Sequence, residues 1–211
     1  MSRRRSPASR SRRGAPAPSR GRGAGKLRII GGQFRRRQLP VPDSPGLRPT
    51  PDRVRETLFN WLAFELAGCR VLDLFAGTGA LGLEALSRGA HEALFVEADA
   101  AVARAIETNL TTLGANGRVA NRETLAFLRS AASPFDLVLL DPPFRQGLAA
   151  PACELLERRG WLDDDAWIYL ELEAELGAEV PANWSLHREV RAGDSHGRLY
   201  RRTASPLGDA C

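Results

Sequence analysis

From residue 70 onward, short apolar runs alternate with amphipathic segments. Residues 70–75, 93–97, 118–120 and 135–140 read as strands, while 80–87, 100–113, 124–130 and 148–159 repeat apolar side chains at three- and four-residue intervals and read as helices. Gly114 and Gly160 stand where helix stops belong. Continuous apolar strands separated by amphipathic helices predict an α/β fold whose parallel sheet is covered on both faces. Residues 166–173 add a strand. Only residues 192–197 lie between the apolar runs 184–190 and 198–202, too few for a crossover, so an antiparallel hairpin ends the sheet.

Before this region the pattern is different. Val54, Leu58, Trp61, Leu62 and Leu66 fit one helix face, with Asp52 placed to cap it and Gly68 to stop it. Residues 27–30 form a short strand, Gly31 and Gly32 a turn, and 33–39 a return strand, a small hairpin with Arg35, Arg36 and Arg37 near its tip. Pro40, Pro42, Pro45, Pro49 and Pro51 then predict irregular chain through Thr50. After Met1, residues 1–25 contain no aliphatic side chain larger than Ala, and their composition predicts disorder. Three units result: a tail (1–25), a hairpin and proline-rich extension (26–50) and a main domain (51–211). No apolar run is long enough for a membrane helix and no apolar stretch follows the first arginines, so the expectation is a soluble, cytoplasmic monomer.

Charge divides the chain in two. Lys26 and twelve arginines precede residue 38, whereas the first acidic residue is Asp43; the remaining 17 basic residues are outnumbered by all 25 acidic ones. A cationic arm on an acidic body fits a phosphate backbone as partner. Cys69, Cys153 and Cys211, like His91, His187 and His196, are scattered without metal-ligand spacing, and no metal site is expected.

The segment Asp73-Leu-Phe-Ala76-Gly77-Thr-Gly79 joins the first parallel strand to its helix. Its glycines let the backbone approach a ligand, and Gly77, Gly79 and Gly82 fit Gly-x-Gly-x-x-Gly with Glu97 at the end of the next strand, placed for ribose hydroxyls. A dinucleotide or S-adenosylmethionine would suit this turn. Asp73 favours the second, because a carboxylate there repels a pyrophosphate and can receive the ammonium of a methionine moiety. Glu123, after the third strand, lies where an adenine amino group would sit, or is a first-turn helix carboxylate.

Asp141, Pro142, Pro143 and Phe144 follow the fourth strand directly. Ligands of open α/β sheets bind at that edge. The Asp141 carboxylate and the Pro142 carbonyl can accept hydrogen bonds from an exocyclic amine and turn its lone pair toward a methyl group, while the prolines add stiffness and Phe144 stacks on the flat ring. The motif alone leaves guanine N2, adenine N6 and an amide nitrogen open. A dinucleotide-dependent oxidoreductase and a noncatalytic RNA-binding protein are the competing classes.

Together, Leu27-Arg-Ile-Ile-Gly-Gly-Gln-Phe34, Pro45-Gly-Leu-Arg48-Pro-Thr50, Asp52-Arg-Val-Arg-Glu-Thr-Leu-Phe-Asn-Trp61, the glycine turn and Asp-Pro-Pro-Phe resemble the bacterial small-subunit ribosomal RNA guanine-N2 methyltransferase family, over roughly residues 26–202. The resemblance implies a Rossmann-like class I methyltransferase with a mostly parallel seven-stranded sheet and an antiparallel C-terminal hairpin. It implies S-adenosylmethionine as donor and, as substrate, a guanine of 16S rRNA in an assembling small subunit. Gly77 and Gly79, with Asp73 and Ala76 in the same turn, carry over to the donor's methionine end, Glu97 to its ribose and Glu123 to its adenine. Asp141, Pro142 and Phe144 carry over to the target base, with Pro143, Arg35, Arg36, Arg37, Arg48 and Thr50 toward the RNA. The family usually has Asp at the adenine position, and the arginine tail lies outside its pattern.

Overall fold

The computed structural model describes residues 25–44 and 50–203. The disorder expected of residues 1–24, the RNA role of Arg48 and the thiol of Cys211 lie outside those residues, while Gly25, assigned to the tail, is the first residue of a strand. Two short antiparallel strands, β1 (Gly25–Arg28) and β2 (Gln38–Val41), precede helix α1 (Asp52–Trp61). Then come β3 (Arg70–Leu74), α2 (Ala80–Ser87), β4 (Glu92–Glu97), α3 (Ala100–Leu113), β5 (Gly117–Asn121), α4 (Thr124–Leu128), β6 (Phe135–Leu140), α5 (Ala149–Arg158), β7 (Leu162–Glu173), β8 (Trp184–Ala192) and β9 (Ser195–Arg202). The seven-stranded sheet runs β5-β4-β3-β6-β7-β9-β8. Strands β3 to β7 are parallel, and β9 lies antiparallel between β7 and β8. This is the α/β architecture expected from the alternation.

Strand parity builds the two faces. Val71, Phe95, Leu137, Leu139, Tyr169 and Leu199 pack with Leu58, Leu83 and Ile106 of α1, α2 and α3. Leu72, Leu74, Val138, Leu140, Ile168 and Leu170 pack on the other side with Leu128 of α4 and Leu156 of α5. Both faces of these strands are dry, which is why they read as unbroken apolar runs.

Several local expectations need correction. Gly31 and Gly32 do not make a two-residue turn, and the return strand of the hairpin is Gln38–Val41 instead of 33–39; residues 29–37 form a turned loop between the strands, closed by Ile29 N–H to the Arg37 carbonyl at 3.0 Å. Gly32 is left-handed (φ 73°), and a β-carbon there would come within 1.8 Å of the Ser87 carbonyl oxygen, so the loop lies directly on the end of α2. Pro40 is inside β2, not in irregular chain. A two-stranded sheet tolerates its missing donor, and its carbonyl accepts from Asn109 Nδ2 at 3.1 Å. Helix α1 stops at Trp61, with turns continuing the chain to the buried Leu66. Asp52 is the first helical residue after Pro51; its carboxylate does not cap the helix but binds Arg55 at 2.6 Å and Arg28 at 2.7 Å. Strand β7 begins at Leu162, four residues early, and a register shift against β6 accommodates the extra segment.

The extension is fixed to the main domain by buried charge. Glu84 of α2, fully buried, accepts from Ile30 N–H at 2.9 Å and Gly31 N–H at 2.8 Å, and binds Arg88 Nε at 2.8 Å. Arg55, only 1% exposed, donates to the Arg28 carbonyl at 3.0 Å, and its Nη1 faces Glu84 at 3.8 Å, an ion pair beyond hydrogen-bond reach. Arg35, Arg36 and Arg37 remain exposed on this anchored loop.

Candidate active site

The site forms where the parallel strands end. Asp73 in β3 is in register with Phe95 in β4 and Leu139 in β6, and Leu140 is in register with Leu170 in β7. Counting along each strand with side chains alternating, Asp73, Glu97, Asp141 and Glu171 all fall on one face, on four neighbouring strands. Among the described residues, no arginine or lysine pairs with any of the four. The sheet edge is therefore a row of acids with no basic partner among the described residues.

The glycine turn is held open by two of them. Asp73 is buried and accepts from Gly82 N–H at 2.9 Å. Burial drives its proton affinity well above the usual carboxylate range, and the charges of Asp141 and Glu97 add to that. Glu97 accepts from Gly77 N–H at 2.8 Å and Asp99 N–H at 2.7 Å, so one carboxylate ties the loops after β3 and β4 together. Gly77 and Gly79 are left-handed (φ 53° and 74°), as is Phe75 (φ 60°), a bulky residue in a strained conformation that favours glycine. Gly82 serves packing: a β-carbon there would lie 2.3 Å from the Phe95 ring. Ala76 donates its N–H to the Val96 carbonyl at 2.9 Å.

Glu123 is the N-cap of α4, accepting from Leu125 N–H at 3.2 Å and Ala126 N–H at 2.8 Å. Its carboxylate thus serves the first turn of α4.

Asp141 is partly exposed and sits between two neighbours. The Thr50 hydroxyl donates to it at 3.3 Å, placing Thr50 on the clamp itself. Burial and the adjacent Glu171 carboxylate push Asp141 up to about 7, opposed by the Thr50 bond. Pro142 is buried, Pro143 exposed, and Phe144 retains 40% of its surface at the tip of the loop. Beyond it Arg145 is left-handed (φ 63°) and its N–H meets the Glu173 carboxylate.

Sequence reasoning missed Phe75, Tyr169 and Glu171. Glu171 is 4% exposed within an apolar strand, and the Tyr169 hydroxyl donates to it at 2.9 Å. A lone acid at an inward-facing strand position was the available signal. The described cysteines do not compete for the chemistry, since burial raises the thiols of Cys69 and Cys153 to about 11 and about 12.

The raised Asp141 has a consequence for stability. Because its folded value lies above the unfolded carboxylate value, ionising it costs the fold increasingly as pH rises from about 4 to about 7. Asp141→Asn, which keeps an acceptor for Thr50, is expected to stabilise the ligand-free protein by about 1 to 2 kcal/mol at pH 8 and by almost nothing at pH 4. Denaturant titrations at the two pH values measure this.

With this geometry the relatives can be compared. A family model described as conserved hypothetical protein 95 matches residues 27–201. The chain belongs to that family. It is 57% identical over 190 residues to the ribosomal RNA small subunit methyltransferase D of Escherichia coli K12, covering 89% of this chain and 96% of the relative. To the protein of the same name from Haemophilus influenzae it is 46% identical over 182 residues, covering 84% and 94%. A solved Escherichia coli structure described as a candidate methyltransferase superposes with a TM-score of 0.81 at 54% identity, covering 86% of this chain and all of that one. The fold is that of the class I methyltransferases. In this chain the glycine turn at the end of β3 and the Asp-Pro-Pro-Phe loop after β6 fall at one edge of the sheet.

Proposed function

We propose that this protein transfers a methyl group from S-adenosylmethionine to the exocyclic N2 of one guanine in 16S rRNA, within an assembling small subunit. The observation that carries the reading is the row of four carboxylates, without a basic partner among the described residues, running past the glycine turn to Asp141. A donor with a sulfonium and an ammonium is attracted to such an edge, whereas the pyrophosphate of a dinucleotide is repelled. The names of the relatives support ribosomal RNA of the small subunit as substrate. The guanine and its N2 come from the sequence resemblance.

In this reading Gly77 and Gly79 let the backbone approach the methionine end, Asp73 lies toward its ammonium and Glu97 toward the ribose, with Ala76 in the same turn. An adenine contact by Glu123 would use lone pairs left over from its cap. The bound donor supplies an electrophilic methyl group. Asp141 and the Pro142 carbonyl accept the two N–H bonds of the amine, which aims the nitrogen lone pair, while Phe144 stacks on the base and Pro143 lines the entrance. Positioning of this kind accounts for most of the rate, and the amine's proton leaves to Asp141. The protein works as a monomer in the cytoplasm and takes no metal. Titration calorimetry tests the donor: S-adenosylmethionine should bind and NADH should not, and the reverse result would restore the oxidoreductase reading.

Arg35, Arg36 and Arg37, presented on the loop clamped to α2, together with Arg48, contact the RNA backbone. Replacing residues 35–37 by alanine should weaken rRNA binding at least tenfold in low salt and reduce the salt dependence by about two to three charges. Filter binding across a salt series measures both.

A further inference from the structure

We infer that Glu171 is a positioning residue for the same reaction, acting through Asp141: it holds a second carboxylate beside the clamp so that Asp141 can accept the proton the amine releases. This rests on the methyltransferase reading above.

The geometry is built for it. Leu140 and Leu170 are in register on neighbouring parallel strands, so Asp141 and Glu171, the next residue on each, are neighbours on the same face. Adjacent strands lie about 5 Å apart, close enough for two carboxylates to interact strongly. Glu171 is 4% exposed and is fixed from one side by the Tyr169 hydroxyl at 2.9 Å. Tyr169 has room only because position 197 on β9 is glycine: a β-carbon there would stand 2.3 Å from the tyrosine oxygen. A buried acid, a buried tyrosine and a glycine on two strands thus keep one carboxyl group in place, although no apolar packing requires it.

The groups facing Asp141 are Thr50 before α1, Asp73 of β3 and Glu171 with Tyr169 of β7; Glu97 of β4 lies one strand beyond Asp73. Thr50 favours the ionised form of Asp141, and Glu171 opposes it. During transfer the N2 lone pair forms the bond to the methyl carbon, and the carbon–sulfur bond breaks with its electrons remaining on sulfur as a neutral thioether. The nitrogen, now positive, passes one proton to the Asp141 carboxylate, which later releases it to solvent. A neighbouring negative charge makes Asp141 a better acceptor in that last step.

Single-turnover methylation at saturating donor and RNA, followed from pH 5 to 9, tests this. Asp141 must be ionised to accept, so the wild-type rate should fall below about pH 7. Glu171→Gln should move that acid limb about one pH unit lower, and Glu171→Asp should leave it in place. An unmoved limb in Glu171→Gln, or an equal shift in both variants, overturns the proposal. Should Glu171→Gln not fold, carboxyl carbon NMR of the wild-type chain decides: the Asp141 carboxyl should titrate well above the ordinary carboxylate range, and Asp141 titrating at an ordinary carboxylate pH overturns it. If the wild type methylates no RNA, the functional reading fails, while the same NMR titration still judges the carboxylate pair.

Discussion

Asp141→Ala is expected to abolish methyl transfer, by about a hundredfold to ten-thousandfold in single-turnover rate, while binding of S-adenosylmethionine stays within a few fold of wild type. The asymmetry follows from where the residue stands. Asp141 lies past the end of β6 with Thr50 on one side and Glu171 on the other, whereas the backbone turn that meets the donor is held by Glu97 and Asp73 on other strands. Removing the clamp leaves that turn intact. Rapid-quench methylation combined with calorimetry separates the two effects, and equal losses in both would mean that Asp141 acts on the donor instead of on the amine.

Glu84→Ala should be the most damaging single change away from the reacting groups. It removes the acceptor of the Ile30 and Gly31 amides and leaves Arg55, itself 1% exposed, facing no anion but the shared Asp52. Weakening the pairing of a buried cation and leaving two half-buried amides without their acceptor costs about 2 to 4 kcal/mol. Denaturant unfolding should show that loss, and hydrogen exchange should show Ile30 and Gly31 deprotected before the sheet. Glu84→Gln, which keeps acceptors for the amides, should lose less. Because α2 meets the glycine turn at one end and the arginine loop at the other, the variant should weaken RNA binding more than donor binding.

The large elements were legible because their physics is local to the strand or helix. Strands β3, β4 and β6 are dry on both faces and show as apolar runs, and α3 carries its own stop in the left-handed Gly114. The positions of Glu97 and Asp141 at the sheet edge were legible as well, each an acid at the end of such a run, and Asp73 as an acid inside one. What escaped depends on contacts distant in sequence. The pair Gly31-Gly32 reads as a hairpin turn, yet the loop's shape is set by Glu84 and Ser87, more than fifty residues away. Asp52 reads as a cap, but Arg28 and Arg55 claim its carboxylate. Glu171 could be placed next to Asp141 only once the order of β6 and β7 was known, since no sequence pattern states which strands are neighbours.

Thr50 illustrates the same limit from the other direction. As a residue of the proline-rich extension it suggested contact with RNA, and its hydroxyl is found on Asp141 at 3.3 Å. Thr50, the last residue of the extension, therefore touches Asp141 at the end of β6.

The most direct test of the central claim is the identity of the methylated nucleoside. Small-subunit assembly intermediates lacking the modification would be incubated with the protein and methyl-labelled S-adenosylmethionine, then digested and resolved by mass spectrometry. Label in N2-methylguanosine of 16S rRNA is the predicted result. Label in N6-methyladenosine, or in protein, would contradict the account.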